Sequence, residues 1–438
     1  MRLFYLVHRI PFPPNKGDKI RSFNQVKFLS GSNEIHLACL VDDPRDEQYS
    51  RHLRDYCKEV RAVSLNKLWA RLKSILFALV STKPLSVNYF YSRILQNHID
   101  RLLSLNAYDA IICFSSPMAE YLFRTPALNH RFKQVHNCSN LHEKSSKHSK
   151  LRIQHSTFGG PRLMMDFCDL DSDKWRQYAE QTYYPVSLIY RMESRRLLEY
   201  EKKVNRAFDH SIFVSQQEAD LFKKRYPNAS NVSVIPNGVD YRYFSPSSGY
   251  SANTKNPAPS LPNCPVLLFT GAMDYHANVD GVLWFSNEIL PLIKRRVPSC
   301  KFFIVGSRPA PKVRELADRE GIVVTGFVDD IRPYYEKATV CVIPLRLARG
   351  IQNKILEAMS MARPVVATSK ALEGIRAIPG EHAMVADSAQ SFAEKVLELI
   401  NNPLRRTTLG AEARRFVINH YDWQTNMQEL EQLLVSNF

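Results

Sequence analysis

Residues 344–368 read Pro344-Leu345-Arg346-Leu347-Ala348-Arg349-Gly350-Ile351-Gln352-Asn353-Lys354-Ile355-Leu356-Glu357-Ala358-Met359-Ser360-Met361-Ala362-Arg363-Pro364-Val365-Val366-Ala367-Thr368. The run passes from the end of an apolar strand through a basic, glycine-containing loop into a helix, a turn and a second apolar strand. Arg346, Arg349 and Lys354 gather around the helix start, where the helix dipole and cationic side chains together suit a diphosphate. Glu357 follows Lys354 by three residues, about one turn along the same face. A carboxylate there can accept hydrogen bonds from both hydroxyls of a ribose. A charged helix start alone is usually a solvated cap. Here Gly271 and Gly306 also end earlier apolar strands, and the combination points to a nucleotide site.

The same rhythm fills most of the chain. Arg2–His8, Glu34–Val41, Glu59–Leu65, Tyr108–Ser115, Arg162–Asp169 and His210–Ser215 read as strands, with amphipathic stretches between most of them. It resumes with Pro265–Gly271, Lys301–Gly306, Ile322–Val328, Thr339–Leu345, Pro364–Thr368 and Ala383–Ala386. Such alternation implies parallel sheets covered by helices on both faces, here twice over. The expected architecture is α/β, with doubly wound domains at 1–240 and 265–420. A Ser-, Pro-, Asn- and Gly-rich linker at 241–264 separates them, and a closing segment occupies 421–438. Residues 129–160, crowded with His, Ser, Lys and Asn, read as an exposed insertion. Its histidines lack regular ligand spacing, so no metal site is expected.

The chain has 438 residues, 45% hydrophobic and 23% charged, which excludes wholesale disorder, collagen-like repeats and coiled coil. The longest clean apolar run, Ile75–Val80, is far below the ~18–20 residues of a membrane span. No secretory signal is readable at the N-terminus, so a cytoplasmic location is expected. The 8 cysteines form no CxxC pair and mostly sit in apolar runs, as buried reduced thiols do. No GxGxxG follows a strand and no GxxxxGK[ST] occurs, which disfavours dinucleotide redox chemistry and P-loop hydrolysis.

The formal net charge is +16, and residues 1–165, with 25 Lys/Arg against 12 Asp/Glu, carry +13 of it. An anionic partner for the first domain follows: a phospholipid surface, a nucleotide or nucleic acid. On Lys67–Ser81, Leu68, Trp69, Leu72, Ile75, Leu76, Leu79 and Val80 share one helical face beside Lys67, Arg71 and Lys73. That pattern fits an interfacial membrane helix and equally a helix packed on a sheet. The loop after the first strand, Arg9 to Arg21, is stiffened by prolines. Gly17 lets backbone approach an anion at the following helix start, although a rigid connector reads the same way.

Together, Lys16-Gly17-Asp18-Lys19-Ile20-Arg21, Ile235-Pro236-Asn237-Gly238-Val239-Asp240, Thr270-Gly271-Ala272-Met273-Asp274, Val305-Gly306-Ser307, Thr325–Asp330 and Lys354–Thr368 resemble glycosyltransferase family 4. Its GT-B fold sets two Rossmann-like domains facing a cleft. More narrowly, Gly350–Thr368 with Asp169–Tyr178 is similar to sugar transferases of PEP-CTERM/exosortase exopolysaccharide loci. The resemblance implies a nucleotide-sugar donor, retention of anomeric configuration and no metal or other cofactor. It places the donor mainly on the second domain. Glu357 matches the second carboxylate of the E-x7-E motif and implies the ribose contact. Lys354, with Arg346 or Arg349, implies neutralisation of the leaving diphosphate, and Gly271 and Gly306 close backbone approach. Val328 would lie against the base, Ile351, Gln352 and Asn353 would line the donor, and Gly17 would close over the phosphates.

Arg349 stands where the first motif glutamate is expected, and Ala272 and Ala277 stand where many members carry Arg and Lys. Asp169 would orient the acceptor hydroxyl, with Asp171 and Arg21 on the acceptor side. Asp169, Asp171 and Asp173 fit a helix N-cap cluster as well. The implied partner is a glycan or polyprenyl-linked acceptor, with peripheral attachment to an anionic membrane through Lys67–Ser81. Nucleic acid is not expected, because no aromatic stacking platform interleaves the basic residues. A GT-B nucleotide-sugar 2-epimerase and a non-catalytic nucleotide- or nucleic-acid-binding protein are the alternatives.

Overall fold

A computed structural model of the chain describes residues 1–133, 160–246, 264–348 and 350–436. Most of the expected 129–160 insertion and 241–264 linker, and Arg349, lie outside the described residues. The chain divides into two compact units, Met1–Ile235 with Met427–Phe438, and Pro236–Asn426.

The first unit is a seven-stranded sheet of β1 (Arg2–Val7), β2 (Glu34–Val41), β3 (Glu59–Ser64), β4 (Ala110–Phe114), β5 (Arg162–Cys168), β6 (His210–Phe213) and β7 (Val232–Val234). Their order is β3-β2-β1-β4-β5-β6-β7, and every pairing is parallel. The central strands β1, β2 and β4 are almost wholly buried, as strands covered by helices on both faces are, while the edge strands β3 and β7 are only half-buried. Phe4, Leu6, Leu40, Ile111 and Met165 lie in one core with almost no exposure. The helices used below are α1 (Gly17–Leu29), α2 (Lys67–Val80), α3 (Leu85–Tyr89), α4 (Asp171–Glu180), α5 (Val186–Ala207) and α6 (Gln216–Arg225).

β7 is the strand the sequence reading omits. Three residues are too few for any apolar period to register. What holds the preceding turn is Asn231, whose side-chain amide donates to the carbonyls of Asn205, Phe208 and Asp209.

The second unit repeats the plan with β8 (Val266–Thr270), β9 (Lys301–Val305), β10 (Ile322–Gly326), β11 (Val340–Ile343), β12 (Val365–Ala367) and β13 (Met384–Val385). The order is β10-β9-β8-β11-β12-β13, again all parallel. Helices α7 (His276–Trp284), α8 (Arg332–Lys337) and α9 (Asn353–Ser360) matter here, and α10 (Trp423–Val435) closes the chain, mostly within the first unit. In such a sheet the winding reverses between β8 and β11, and the crevice beyond their carboxyl ends is where ligands bind.

The C-terminal residues return to the first unit. The guanidinium of Arg162 donates to the carbonyls of Leu433 and Leu434, and the Ser32 hydroxyl donates to Glu431. Among the described residues the cysteines are free, most of them buried. No described helix is long and apolar enough to cross a membrane.

Candidate active site

The loops leaving β8, β9 and β10 are stitched together by backbone hydrogen bonds. Gly271 N–H donates to Val305 O at 3.0 Å, Met273 N–H to Ser307 O at 2.8 Å, and Gly306 N–H to Gly326 O at 3.1 Å. Gly271 and Gly306 adopt φ of +149° and +151°. A Cβ on Gly306 would stand 1.7 Å from the Gly271 carbonyl oxygen. Only glycine permits this approach, so the two glycines read from the sequence have a steric reason within the chain. Gly17 differs: a Cβ there would meet nothing within 4 Å.

Beneath the Gly271 loop, Lys354 projects from the first turn of α9. Its ammonium donates to the side-chain Oδ1 of Asn278 at 2.6 Å and sits 4.3 Å from the centre of the Phe269 ring. Asn278 is itself fixed, since its amide NH₂ donates to Ala272 O at 2.8 Å. Burial drives the Lys354 pKa down to about 7, and nearby Glu357 offsets only part of that. One turn on, Glu357 accepts from the Tyr335 hydroxyl at 2.9 Å. Burial raises the pKa of Glu357, against the lowering effects of Tyr335 and Lys354. Tyr335 is almost wholly buried and also bonds Thr270 Oγ1 at 2.8 Å. The cation and carboxylate expected from spacing therefore stand together at the switch point between β8 and β11.

Asn278 and Tyr335 were not read from the sequence, and Thr270 entered that reading only as the first residue of the Gly271 stretch. Asn278 is one residue past Ala277, where a cation was sought. Tyr335 shows only as an aromatic in a short helix. What makes either matter is a contact across more than 20 residues of chain.

The other expected donor residues are placed as follows. Gln352 is the N-cap of α9, and no side-chain hydrogen bond caps that turn. Asn353 Oδ1 accepts from Asn237 at 3.2 Å, and Ile351 is buried. Val328 lies half-buried just past β10, beside the well-exposed Phe327. Arg346 does not join Lys354's hydrogen-bond set. It forms a bidentate pair with Asp280 of α7, its Nε at 3.0 Å, and lies 5.5 Å from the Trp284 ring centre.

In the first unit, Arg21 requires a correction. It was expected on the acceptor side, but its side chain is completely buried. Its Nε donates to Asp166 at 2.8 Å and its Nη1 to Ile235 O at 2.8 Å. Gln25 also donates to Asp166, at 2.6 Å, and accepts from Tyr5. A side chain with no surface cannot touch an acceptor; it positions the end of β5. There Asp166 accepts from Cys168 N–H at 2.9 Å, across a bulge where Cys168 takes φ +61°.

Asp169 is half-buried beyond that bulge. The amides opening α4 go to other carboxylates: Leu170 N–H to Glu218 at 2.7 Å and Ser172 N–H to Glu201 at 3.1 Å. Burial raises the Glu201 pKa to about 8. Asp171 pairs with Lys174, while Asp173 binds Arg176, Gln177 and Arg225. Among the described residues no group of three or more His, Cys, Asp or Glu is placed to hold a metal.

On α2, Leu68, Trp69, Leu72 and Leu76 are 57–73% exposed. Its buried side uses Ala70 and Ser74, and Lys73 donates to Tyr91 O and lies 4.9 Å from that ring's centre.

Known proteins add to this. Residues 264–402 match the model of glycosyl transferases group 1, and residues 173–243 that of glycosyltransferase family 4. A 44.6 kDa protein in the cps region of Klebsiella pneumoniae is 23% identical over 94% of both chains. A GDP-mannose-dependent monoacylated alpha-(1-6)-phosphatidylinositol monomannoside mannosyltransferase of Corynebacterium glutamicum is 22% identical, over 54% of this chain and 64% of that one. Among solved structures, sucrose-phosphate synthase from Thermosynechococcus elongatus superposes with a TM-score of 0.68 at 17% identity, over 99% of this chain and 98% of that one. The Anabaena protein HepE, in complex with UDP and glucose, does so with 0.63 at 14%, over 99% of both. Two doubly wound parallel units, GT-B neighbours along the whole length and two family matches make the chain a glycosyltransferase of the GT-B fold, with a family 4 segment at 173–243 and a group 1 segment at 264–402.

Proposed function

We propose that the protein transfers a sugar from a nucleotide-sugar donor to a lipid-linked glycan acceptor in cell-surface glycan synthesis, with retention of anomeric configuration. The observation that carries the donor half is the pairing of Lys354 and Glu357 at the β8–β11 switch point under the Gly271 loop. Glu357 binds the ribose hydroxyls, and Lys354, helped by Arg349 and the uncapped start of α9, takes the diphosphate. Gly271 and Gly306 bring backbone N–H groups near, and Val328, Ile351, Gln352 and Asn353 line the donor. A swing of Arg346 from Asp280 would add a further cation.

In the reaction, the bond from the anomeric carbon to the diphosphate oxygen breaks, and the acceptor oxygen bonds that carbon on the same face. The acceptor proton passes to the departing diphosphate oxygen. The sugar is oxocarbenium-like meanwhile. Negative charge grows on the leaving group, so fixed cations stabilise the transition state more than the bound donor. Asp169 and Asp171 orient the acceptor. No metal is required on this scheme, so turnover should survive a chelator.

The acceptor class is argued from relatives that act on phosphatidylinositol mannosides or stand in a capsule region, and from the exposed apolar face of basic α2. The narrower likeness to PEP-CTERM-associated transferases fits the same class. The test is nucleoside diphosphate release from a nucleotide-sugar panel, with and without membrane lipid extract. Lipid-dependent release from one donor, lost in Glu357→Ala and Lys354→Ala, is expected. Donor consumed without acceptor would make it an epimerase. Nucleotide binding without any turnover would make it a binding protein.

A further inference from the structure

Helices α4 and α5 form a helical hairpin, whose stem packs Trp175 and Tyr178 against Tyr190, with ring centres 5.1 and 6.3 Å apart. Its tip is apolar and uncovered. Tyr183 is 91% exposed and Tyr184 81%, and Val186, Leu188 and Ile189 follow at 39–59%. Five large apolar side chains within seven residues form a patch, unlike the scattered exposure normal on a soluble surface.

The patch is mechanically tied to the exposed face of α2. The Ser74 hydroxyl of α2 donates to Leu85 O of α3 at 2.6 Å. The next link is Glu193 of α5, completely buried, which accepts from Leu85 N–H at 2.6 Å and from Ser86 N–H and Oγ at 3.0 and 2.8 Å. Glu193 lies four residues past Ile189, about 6 Å along the helix axis. α2, α3 and α5 therefore move as one body carrying two exposed apolar runs.

The charge around both runs is mainly positive, although Asp42 lies 3.8 Å from the Lys67 ammonium and the exposed Glu180, paired with Arg176, ends α4 three residues before Tyr183. Helix α2 contains no acid, and Lys67 and Arg71 are exposed on it. Between Tyr183 and Leu198 the only carboxylate is the buried Glu193, while Arg191 and Arg195 are exposed. Apolar side chains with Trp and Tyr among cations match the boundary between acyl chains and anionic headgroups.

We propose that the α4–α5 tip is a second membrane anchor, and that with α2 it seats the first unit on a bilayer rich in anionic headgroups. The seat rests on the reading of a lipid-linked acceptor given above. Two anchors on one rigid body bind more tightly than either alone, because the second engages at high effective concentration.

The test is co-sedimentation of the full chain with vesicles of equal parts phosphatidylglycerol and phosphatidylcholine, and with phosphatidylcholine alone. The parent is expected to bind the anionic vesicles, more weakly at high salt. Tyr183→Ser/Tyr184→Ser and Leu72→Ser/Leu76→Ser should each weaken binding about tenfold, and the combined variant should not bind. These side chains are exposed, so melting temperatures should match the parent and exclude misfolding. A tip variant that sediments like the parent, or a parent that ignores anionic vesicles, overturns the proposal. Self-association seen by light scattering and lost in the tip variant would give the patch to a second copy instead. Diphosphate release is measured on the same preparations. Vesicle binding without release sinks the transfer reading alone, and release with detergent-dispersed acceptor but no vesicle binding sinks the seat alone.

Discussion

Lys354 should take up a proton when a nucleoside diphosphate binds. In the chain by itself its pKa is about 7, because burial penalises the ammonium and its hydrogen bond goes to a neutral amide. A lysine of pKa 7 is only ~10% protonated at pH 8. A diphosphate within contact distance favours the charged form and should return the pKa towards the usual lysine range, leaving the bound state almost fully protonated. Binding at pH 8 should therefore draw in ~0.8–0.9 proton, falling to ~0.5 near pH 7. At pH 8 the nucleotide's own phosphate is already ionised and contributes little. The assay is titration calorimetry with a diphosphate that binds, in two buffers of unlike ionisation heat, whose slope gives the protons taken up. Lys354→Met should abolish the uptake, and so should Lys354→Arg, whose guanidinium stays charged. An absent buffer dependence in the parent, or an undiminished one in Lys354→Met, would refute the argument.

Three further outcomes follow from neighbouring geometry. Asn278→Ala removes the acceptor that aims Lys354 and should lower kcat/KM about tenfold, the worth of one hydrogen bond to a charged group, while Asn278→Asp should raise the lysine pKa and cut the pH 8 proton uptake. Gly306→Ala drives a methyl against the Gly271 carbonyl and should cost about 3 kcal/mol or more, read as a lower urea midpoint. Glu201 has a folded pKa of about 8, raised above its unfolded value, so the unfolded state loses its proton first and stability falls as pH rises from about 4.5 to 8; Glu201→Gln should be near neutral at pH 5 and stabilising by at least about 1 kcal/mol at pH 8, and equal denaturation midpoints at pH 8 would contradict this.

The central strands were legible because they are buried on both faces and written as unbroken apolar runs, as in Leu3–Val7 or Leu267–Phe269, whereas β3, half-buried and carrying Arg61, shows in sequence only as a short alternating run. β7 was not legible, being three half-buried residues placed by Asn231 rather than by its own pattern. Lys354 and Glu357 were legible because one helix turn relates them. Asn278 and Tyr335 come from other crossovers and meet α9 only after the sheet has formed, so no local period records them. Arg21 misled for a related reason. In sequence it ends a basic loop, and only the fold reveals Asp166, 145 residues away, as its partner.

Arg21 and Lys354 show what decides whether a buried cation is structure or site. Arg21 faces a carboxylate at 2.8 Å with a second acceptor at Ile235, so its charge is matched within the chain. Removing Asp166 would leave that charge uncompensated, at about 3–5 kcal/mol. Lys354 has a carboxylate one turn away, yet its hydrogen bond goes to Asn278, and Glu357's goes to Tyr335. Two groups that would neutralise each other are each held by a neutral partner. Burial lowers the lysine and raises the carboxyl, and their attraction for each other offsets only part of either shift. Burying both groups costs stability, and the cost is recovered when an anion meets the lysine and hydroxyls meet the carboxylate. A nucleoside diphosphate offers both groups on one molecule, which is why this turn of α9, rather than the more cationic surface of the first unit, is the place to look for the donor.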